Sequence, residues 1–502
     1  MRLINICILI LIVFNVPIIM AQSDDKAPIG TNLTGIASWN PIWQFVDVFK
    51  TARPWISQCD GCGWGEGGDL DVSPDGWVMS LRDNQYAETV MLDGGIYPQG
   101  EYVLTYDGDG DIRFNFNSAT IISQEQGRIV FTINGDYGLW VQIRATNPQN
   151  PIRNIHVYMP TFEGTNAIFH PEFLASLDGF TVLRFMDWMA TNNATIVSWD
   201  ERPKPTDAQW HENGVPVEIM VALANTVNAD AWFNMPHMAD DDYVRQFATY
   251  VRDHLNPNRR VYIEYSNETW NNQFSQAWYV IEQGRALGLS DDDFQAGLFY
   301  HSQRAGEIFA IWEDVFGGTE RLVRVLAAQA ANSWTGEQVL TYKDMYTRAD
   351  ALAIAPYFGG YLGDPQTIDT VLARGVDGVL DEAQAHIAGE VRRWITDNVR
   401  IASQYGVELV AYEGGQHLAG FFGAEGDDRL TELFISANRH PRMGELYIDY
   451  LNQWSNLGGG LFMNFSHIAT PSQWGSWGIL EYQTQPRADA PKYDAIMTYL
   501  GK

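Results

Sequence analysis

Cysteine is nearly absent from this chain of 502 residues, which has three. Cys7 lies in the apolar N-terminal run, so only Cys59 and Cys62, in Cys-Asp-Gly-Cys, remain for the body of the protein. Two cysteines alone do not make a zinc site, and neither a His-Glu-x-x-His nor a Gly-x-Ser-x-Gly string occurs. No metal and no cofactor are therefore expected. Positive charge is also scarce, with 32 Lys and Arg against 62 Asp and Glu and a formal net charge of −30. A chain this acidic repels polyanions at long range, which excludes nucleic acid, anionic lipid and anionic polysaccharide as partners. Long apolar runs are missing after the N-terminus, so no integral membrane span is expected there. The N-terminus itself runs Met1-Arg2, then a mostly apolar stretch from Leu3 to Met20, then Ala21 and polar residues. Residues 1–21 read as a signal peptide cut after Ala21, with an uncleaved anchor as the alternative. The mature protein is then expected to be secreted, periplasmic or at the cell surface, and to act as a monomer. In an exported chain the Cys59/Cys62 pair is most simply a small disulfide loop; Gly61, Gly63 and Gly65 argue against the helix that a thiol redox motif needs.

What is present is apolar and aromatic. At 46% hydrophobic and 19% charged the chain can bury a large core, which excludes disorder and fibre. Tryptophan is over-represented, with 18 residues, so flat aromatic faces are expected to have a use. From about residue 160 onward short apolar strands alternate with amphipathic helices, the pattern of parallel βα units. The strands read as 182–186, 231–235, 261–266, 323–329, 351–357, 408–412 and 460–465, and 31–36 makes an eighth. Val244, Phe247, Ala248, Val251 and Leu255 form one helical apolar stripe, and Ile387, Val391, Trp394, Ile395 and Ala402 a second. Eight such units predict an α/β fold, a (β/α)8 TIM barrel over 22–56 and 160–502, with a doubly wound sheet as the alternative. Residues 57–159 are rich in Gly, Asp and Asn with short alternating runs at 102–106, 112–116 and 129–133. They predict a small β-rich domain inserted after the first barrel helix. Asp107-Gly-Asp-Gly-Asp111 is like a calcium loop, but Ser118 stands where the closing Glu belongs, so a tight hairpin turn is expected.

In a barrel, chemistry sits at the C-terminal ends of the strands. The fourth strand ends in Asn267-Glu268-Thr-Trp270, and the seventh in Ala411-Tyr412-Glu413-Gly414-Gly415. Glycoside hydrolysis needs one carboxylic acid to protonate the leaving oxygen and one carboxylate to attack or to activate water. An Asn-Glu pair after strand four with a second Glu after strand seven resembles clan A of the glycoside hydrolases, the retaining (β/α)8 enzymes. The Gly30-Thr-Asn-Leu33 opening and the Trp-rich loops look most like its cellulase-type family-five members. The resemblance implies Glu268 as acid/base, Glu413 as nucleophile and Asn267 on the sugar 2-hydroxyl. It also implies Arg184 and Tyr357 beside the nucleophile, His237 as a sugar-binding group, and Trp474 or Trp477 as the floor of the site. The inserted domain departs from a minimal family-five barrel.

Each residue also has a plainer reading. Arg184 could pair with Asp187, and the aromatic residues could be ordinary core. Glu264 rivals Glu268 but lies about 13 Å deeper at about 3.3 Å per residue, out of reach of a sugar. The expected function is hydrolysis of a neutral β-linked polysaccharide or oligosaccharide, a β-glucan, mannan or xylan, by double displacement. The alternatives are a non-catalytic carbohydrate-binding barrel and an inverting hydrolase or lyase.

Overall fold

The computed structural model describes residues 26–502. The expected signal peptide at 1–21 lies outside the described residues. Eight parallel strands close into a barrel in chain order: β1 (Ile29–Asn32), β2 (Val182–Arg184), β3 (Asp230–Met235), β4 (Val261–Tyr265), β5 (Leu322–Ala327), β6 (Ala351–Ile354), β7 (Glu408–Ala411) and β8 (Phe462–Asn464). β1 closes the ring by pairing with both β2 and β8, with Asn32 level with Arg184 and Thr31 level with Asn464. The expected strands are all present, several of them shorter at their C-terminal ends, because the chain leaves the pleat there to form the mouth. Fully buried Val182, Trp232, Val325, Ala351, Val410 and Met463 fill the interior. Gly30 is required by this packing, since a Cβ there would stand 2.3 Å from the Met463 sulfur and 2.6 Å from the Val182 carbonyl oxygen.

The helical stripes read from the sequence face the outer side of the barrel. On the helix Asp241–His254, Val244, Phe247, Ala248 and Val251 are buried against the barrel, and Asp240 caps the first turn by accepting from the Tyr243 amide at 2.7 Å. No helix among the described residues is long and apolar enough to cross a membrane.

Between β1 and the short helix Pro171–Ser176 stand two four-stranded antiparallel sheets. One contains Ile56–Cys59, Gln85–Met91, Leu139–Thr146 and Gly110–Phe114, and the other Arg153–Tyr158, Tyr102–Asp107, Arg128–Ile133 and Ala119–Glu125. Among the described residues the only helix ahead of the insertion is a 3-10 turn, Val48–Thr51, in place of the expected first barrel helix. Its Val48 and Phe49 are buried in the same apolar cluster as Leu104, Phe131 and Val141 of the sheets, so the inserted unit is continuous with the chain that carries it. The expected hairpin at Asp107–Asp111 is instead a crossing from one sheet to the other. Gly108 makes it possible, with φ of 93° and the Pro151 carbonyl 2.1 Å from where a Cβ would be. Its acidic side chains accept from amides: Asp109 from Asn150 at 3.0 Å and Asp107 from Asn154 at 2.8 Å.

Candidate active site

Two turns deliver the carboxylates. β4 ends at Tyr265, and Ser266 and Glu268 then adopt left-handed backbone, φ 58° and 43°. Such residues cost on the order of 1–3 kcal/mol each and persist where the surroundings impose them. Here Asn234 Nδ2 donates to the Ser266 carbonyl at 2.7 Å, Gln276 Nε2 to the Asn267 carbonyl at 2.9 Å, and the Asn271 amide to the Glu268 carbonyl at 2.8 Å. Glu268 therefore leaves the face that Glu264 occupies and is carried out to the mouth by the turn. After β7 the chain continues as Glu413-Gly414-Gly415, and a Cβ on Gly414 would stand 2.5 Å from the Phe462 ring. Only glycine lets the backbone beside Glu413 lie that close to the aromatic layer behind it.

Arg184, wholly buried at the end of β2, ties the floor together. Its Nη1 donates to Glu413 Oε1 at 2.8 Å and to Asn32 Oδ1 at 3.0 Å; its Nη2 donates to Asn267 Oδ1 at 2.8 Å and to Glu264 Oε2 at 2.9 Å. Its ion pairs are thus with Glu413 and Glu264, not with Asp187. Glu264 Oε2 also accepts from Trp232 Nε1 at 2.8 Å and Asn234 Nδ2 at 2.7 Å. Glu264 is wholly buried, so its role is to anchor Arg184 from below. Tyr357 donates its hydroxyl to Glu413 Oε2 at 2.9 Å. Glu268 has its own pair of donors, the Tyr412 hydroxyl at 2.9 Å and Asn271 Nδ2 at 2.8 Å.

Glu268 and Glu413 line one cleft of about 590 Å³, together with Trp270, Tyr357, Tyr361, Trp394 and Trp477. Asn267 and Arg184 lie buried beneath it. The other two sequence candidates stand elsewhere. His237 is 3% exposed, its ring edge-on to Tyr279 at 5.1 Å, and it does not line the cleft. Trp474 is 64% exposed and does not line it either; its carbonyl accepts from Trp477 Nε1 at 2.9 Å, so it positions the tryptophan that does. The sequence reading passed over Tyr412, Asn271, Asn32, Trp270 and Trp394. Of these, Tyr412 and Asn271 had a signal, since each neighbours a candidate carboxylate in the sequence. Cys59 and Cys62 are joined by a disulfide in the inserted unit.

The electrostatics follow from burial. Burial raises Glu413 to about 8, Arg184 opposes this, the charge of Glu268 adds to it, and the Tyr357 hydrogen bond opposes it. Burial raises Glu268 as well, against the donors Asn271 and Tyr412. The Arg184 guanidinium favours the charged form of Glu413, but burial outweighs it. Two carboxyls that feel each other titrate as a pair. The single negative charge belongs on Glu413, which holds the only charged donor, and the remaining proton on Glu268. Burial opposes the charge on Arg184, but Glu264 and Glu413 outweigh it and hold the guanidinium ionised. Burial, reinforced by the carboxylates, keeps the Tyr357 and Tyr412 hydroxyls protonated, so both remain donors.

No family model matches the chain, and no curated protein matches it in sequence. Among solved structures it is similar to the GH51 arabinofuranosidase from Xanthomonas axonopodis pv. citri, at 12% identity and TM-score 0.39, over 62% of this chain and 63% of that one. It is similar to a 4-O-α-L-rhamnosyl-β-D-glucuronidase from Fusarium oxysporum at 12% identity and TM-score 0.38, over 64% of this chain and 61% of that one. It is also similar to a broad-specificity GH5-4 endoglucanase from Clostridium longisporum at 10% identity and TM-score 0.39, over 67% and 87%. The chain spans less than two thirds of the first two.

Proposed function

We propose that this protein is a retaining glycoside hydrolase acting on a neutral β-linked glycan, with Glu413 as nucleophile and Glu268 as acid/base. The observation that carries the reading is the pair of buried carboxyls on one cleft floor, each with its own donors and only one braced by a guanidinium. The Glu413 carboxylate attacks the anomeric carbon while Glu268 gives its proton to the departing glycosidic oxygen. Glu268, now ionised, takes a proton from an entering water, whose oxygen attacks the same carbon and expels Glu413. Two inversions leave the anomeric configuration unchanged. Arg184 and Tyr357 hold Glu413 in line for both steps.

A neutral substrate is supported by the cleft wall, which carries carboxylates and aromatic rings but neither lysine nor arginine. A uronic acid residue would find no counter-charge there. Tryptophan faces suit the C–H faces of sugar rings. The substrate is read as a β-glucan, mannan or xylan chain, cleaved internally. The disulfide in the inserted unit supports action outside the cytoplasm.

Glu413→Ala is the test. Turnover is expected to fall by at least about a thousandfold, and azide is expected to restore part of it with a glycosyl azide of inverted configuration as product. A variant that kept more than about a tenth of wild-type kcat would remove Glu413 from the nucleophile's place, because that loss is only ~1.4 kcal/mol.

A further inference from the structure

The helix that returns from β6 to β7 is interrupted where it passes the cleft. It spans Ile368–His386 with a kink at Gly375 (φ 64°), opens into a π-turn at Ile387–Val391, and resumes as α-helix over Arg392–Tyr405. In an unbroken α-helix, each step of four residues overshoots a full turn by about 40°, so residues eight apart diverge by about 80°. The widened i→i+5 turn absorbs that drift. His386, Glu390 and Trp394 accordingly all line the cleft that holds Glu268 and Glu413.

The three are built as a unit. The Gly359 amide donates to His386 Nδ1 at 3.1 Å, which places the ring proton on Nε2, 3.2 Å from Glu390 Oε2. The imidazole stands edge-on to the Trp394 indole, with centroids 5.2 Å apart, and lies 5.0 Å from the Tyr361 ring. His386 is almost enclosed while the Glu390 side chain is 60% exposed. A buried imidazole, packed against two aromatic rings, thus holds an open carboxylate on the wall of the same cleft. That combination suits a sugar ring, with apolar C–H faces for the indole and phenol and hydroxyls to donate to the carboxylate.

We infer that Trp394, Tyr361 and Glu390 form a binding subsite for the leaving-group half of a neutral glycan. This rests on the glycosidase reading above. The side is set by Glu268: the acid must face the departing oxygen, and the cleft continues past it through Trp270, Gln273 and Phe274 of its own turn. β1, β2 and β3 contribute nothing to the lining.

The experiment compares a β-glycan oligosaccharide with a short aryl β-glycoside, whose departing phenol does not reach the helix. For Trp394→Ala and for Glu390→Gln, kcat/KM on the oligosaccharide is expected to fall about tenfold, mainly through KM, with the aryl substrate within about twofold of wild type. Equal losses on both substrates, or no loss on either, would overturn the subsite. Azide rescue of Glu413→Ala on the aryl substrate reads the glycosidase assignment without involving the helix. Calorimetric titration of Glu268→Gln with the uncleaved oligosaccharide reads the subsite without requiring turnover. Binding about tenfold weaker on adding Trp394→Ala supports it, and unchanged binding overturns it.

Discussion

In the proposed reaction Glu268 and Glu413 are the same residue type with opposite tasks, and their donors separate them. Glu413 accepts from a guanidinium and a phenol, and Glu268 from a phenol and an amide. Each phenolic donor favours the ionised form of its own carboxyl, so removing it should raise chiefly that carboxyl. Tyr357→Phe is expected to move the acidic limb of the kcat/KM profile to higher pH, because Glu413 must lose its proton to attack. Tyr412→Phe is expected to move the alkaline limb to higher pH, because Glu268 then keeps its proton longer. Wild type should give a bell with both limbs lying above the ordinary Glu value of about 4.3, since burial raises both carboxyls. The check is a pH series on the two variants. Movement of the same limb in both would show that the roles are not divided in this way.

At the scale of elements, the barrel strands are legible in the sequence because β-branched and apolar residues must fill a closed interior. Glu268 and Glu413 are legible as carboxylates at strand ends, and Arg184, Asn267 and Tyr357 through the resemblance to the clan. Direction is not legible beyond those ends. His237 and Trp474 follow strands 3 and 8 at plausible spacing, yet one turns inward onto Tyr279 and the other outward to solvent. Trp394 reads as part of an apolar stripe because a helical wheel assumes 3.6 residues per turn, and the π-turn at Ile387–Val391 breaks that assumption. The disulfide loop is a local element of another kind. Its segment is also held by the Gly67 amide on the Ser57 carbonyl at 3.0 Å and by the Gly65 amide on Gln58 Oε1 at 2.9 Å. Closing so short a loop contributes only about 1–2 kcal/mol by chain entropy. Replacing both cysteines with serine is expected to lower unfolding stability by about that amount and leave kcat/KM within about twofold. Loss of activity out of proportion to stability, measured by denaturant titration beside kinetics, would tie the inserted unit to catalysis.

For the whole molecule, the governing quantity is the net charge of −30. It acts at a distance set by salt, with a Debye length of about 30 Å at 0.01 M and about 8 Å at 0.15 M. A neutral glycan does not respond to this field, whereas a carboxymethylated form of the same glycan must approach against it. The cleft adds to the repulsion at close range, since its lining carries Glu268, Glu413 and Glu390 and no lysine or arginine. At low ionic strength kcat/KM for the carboxymethylated polymer is therefore expected to fall well below that for the neutral one. It should rise as sodium chloride is added toward about 0.5 M, where screening shortens the field to the width of a contact. The neutral polymer should show little change over the same range. A charged substrate that was indifferent to salt would place the acidic surface away from the approach to the cleft. One that was cleaved faster at low salt would require a cationic patch on that approach, contrary to the charge of the wall.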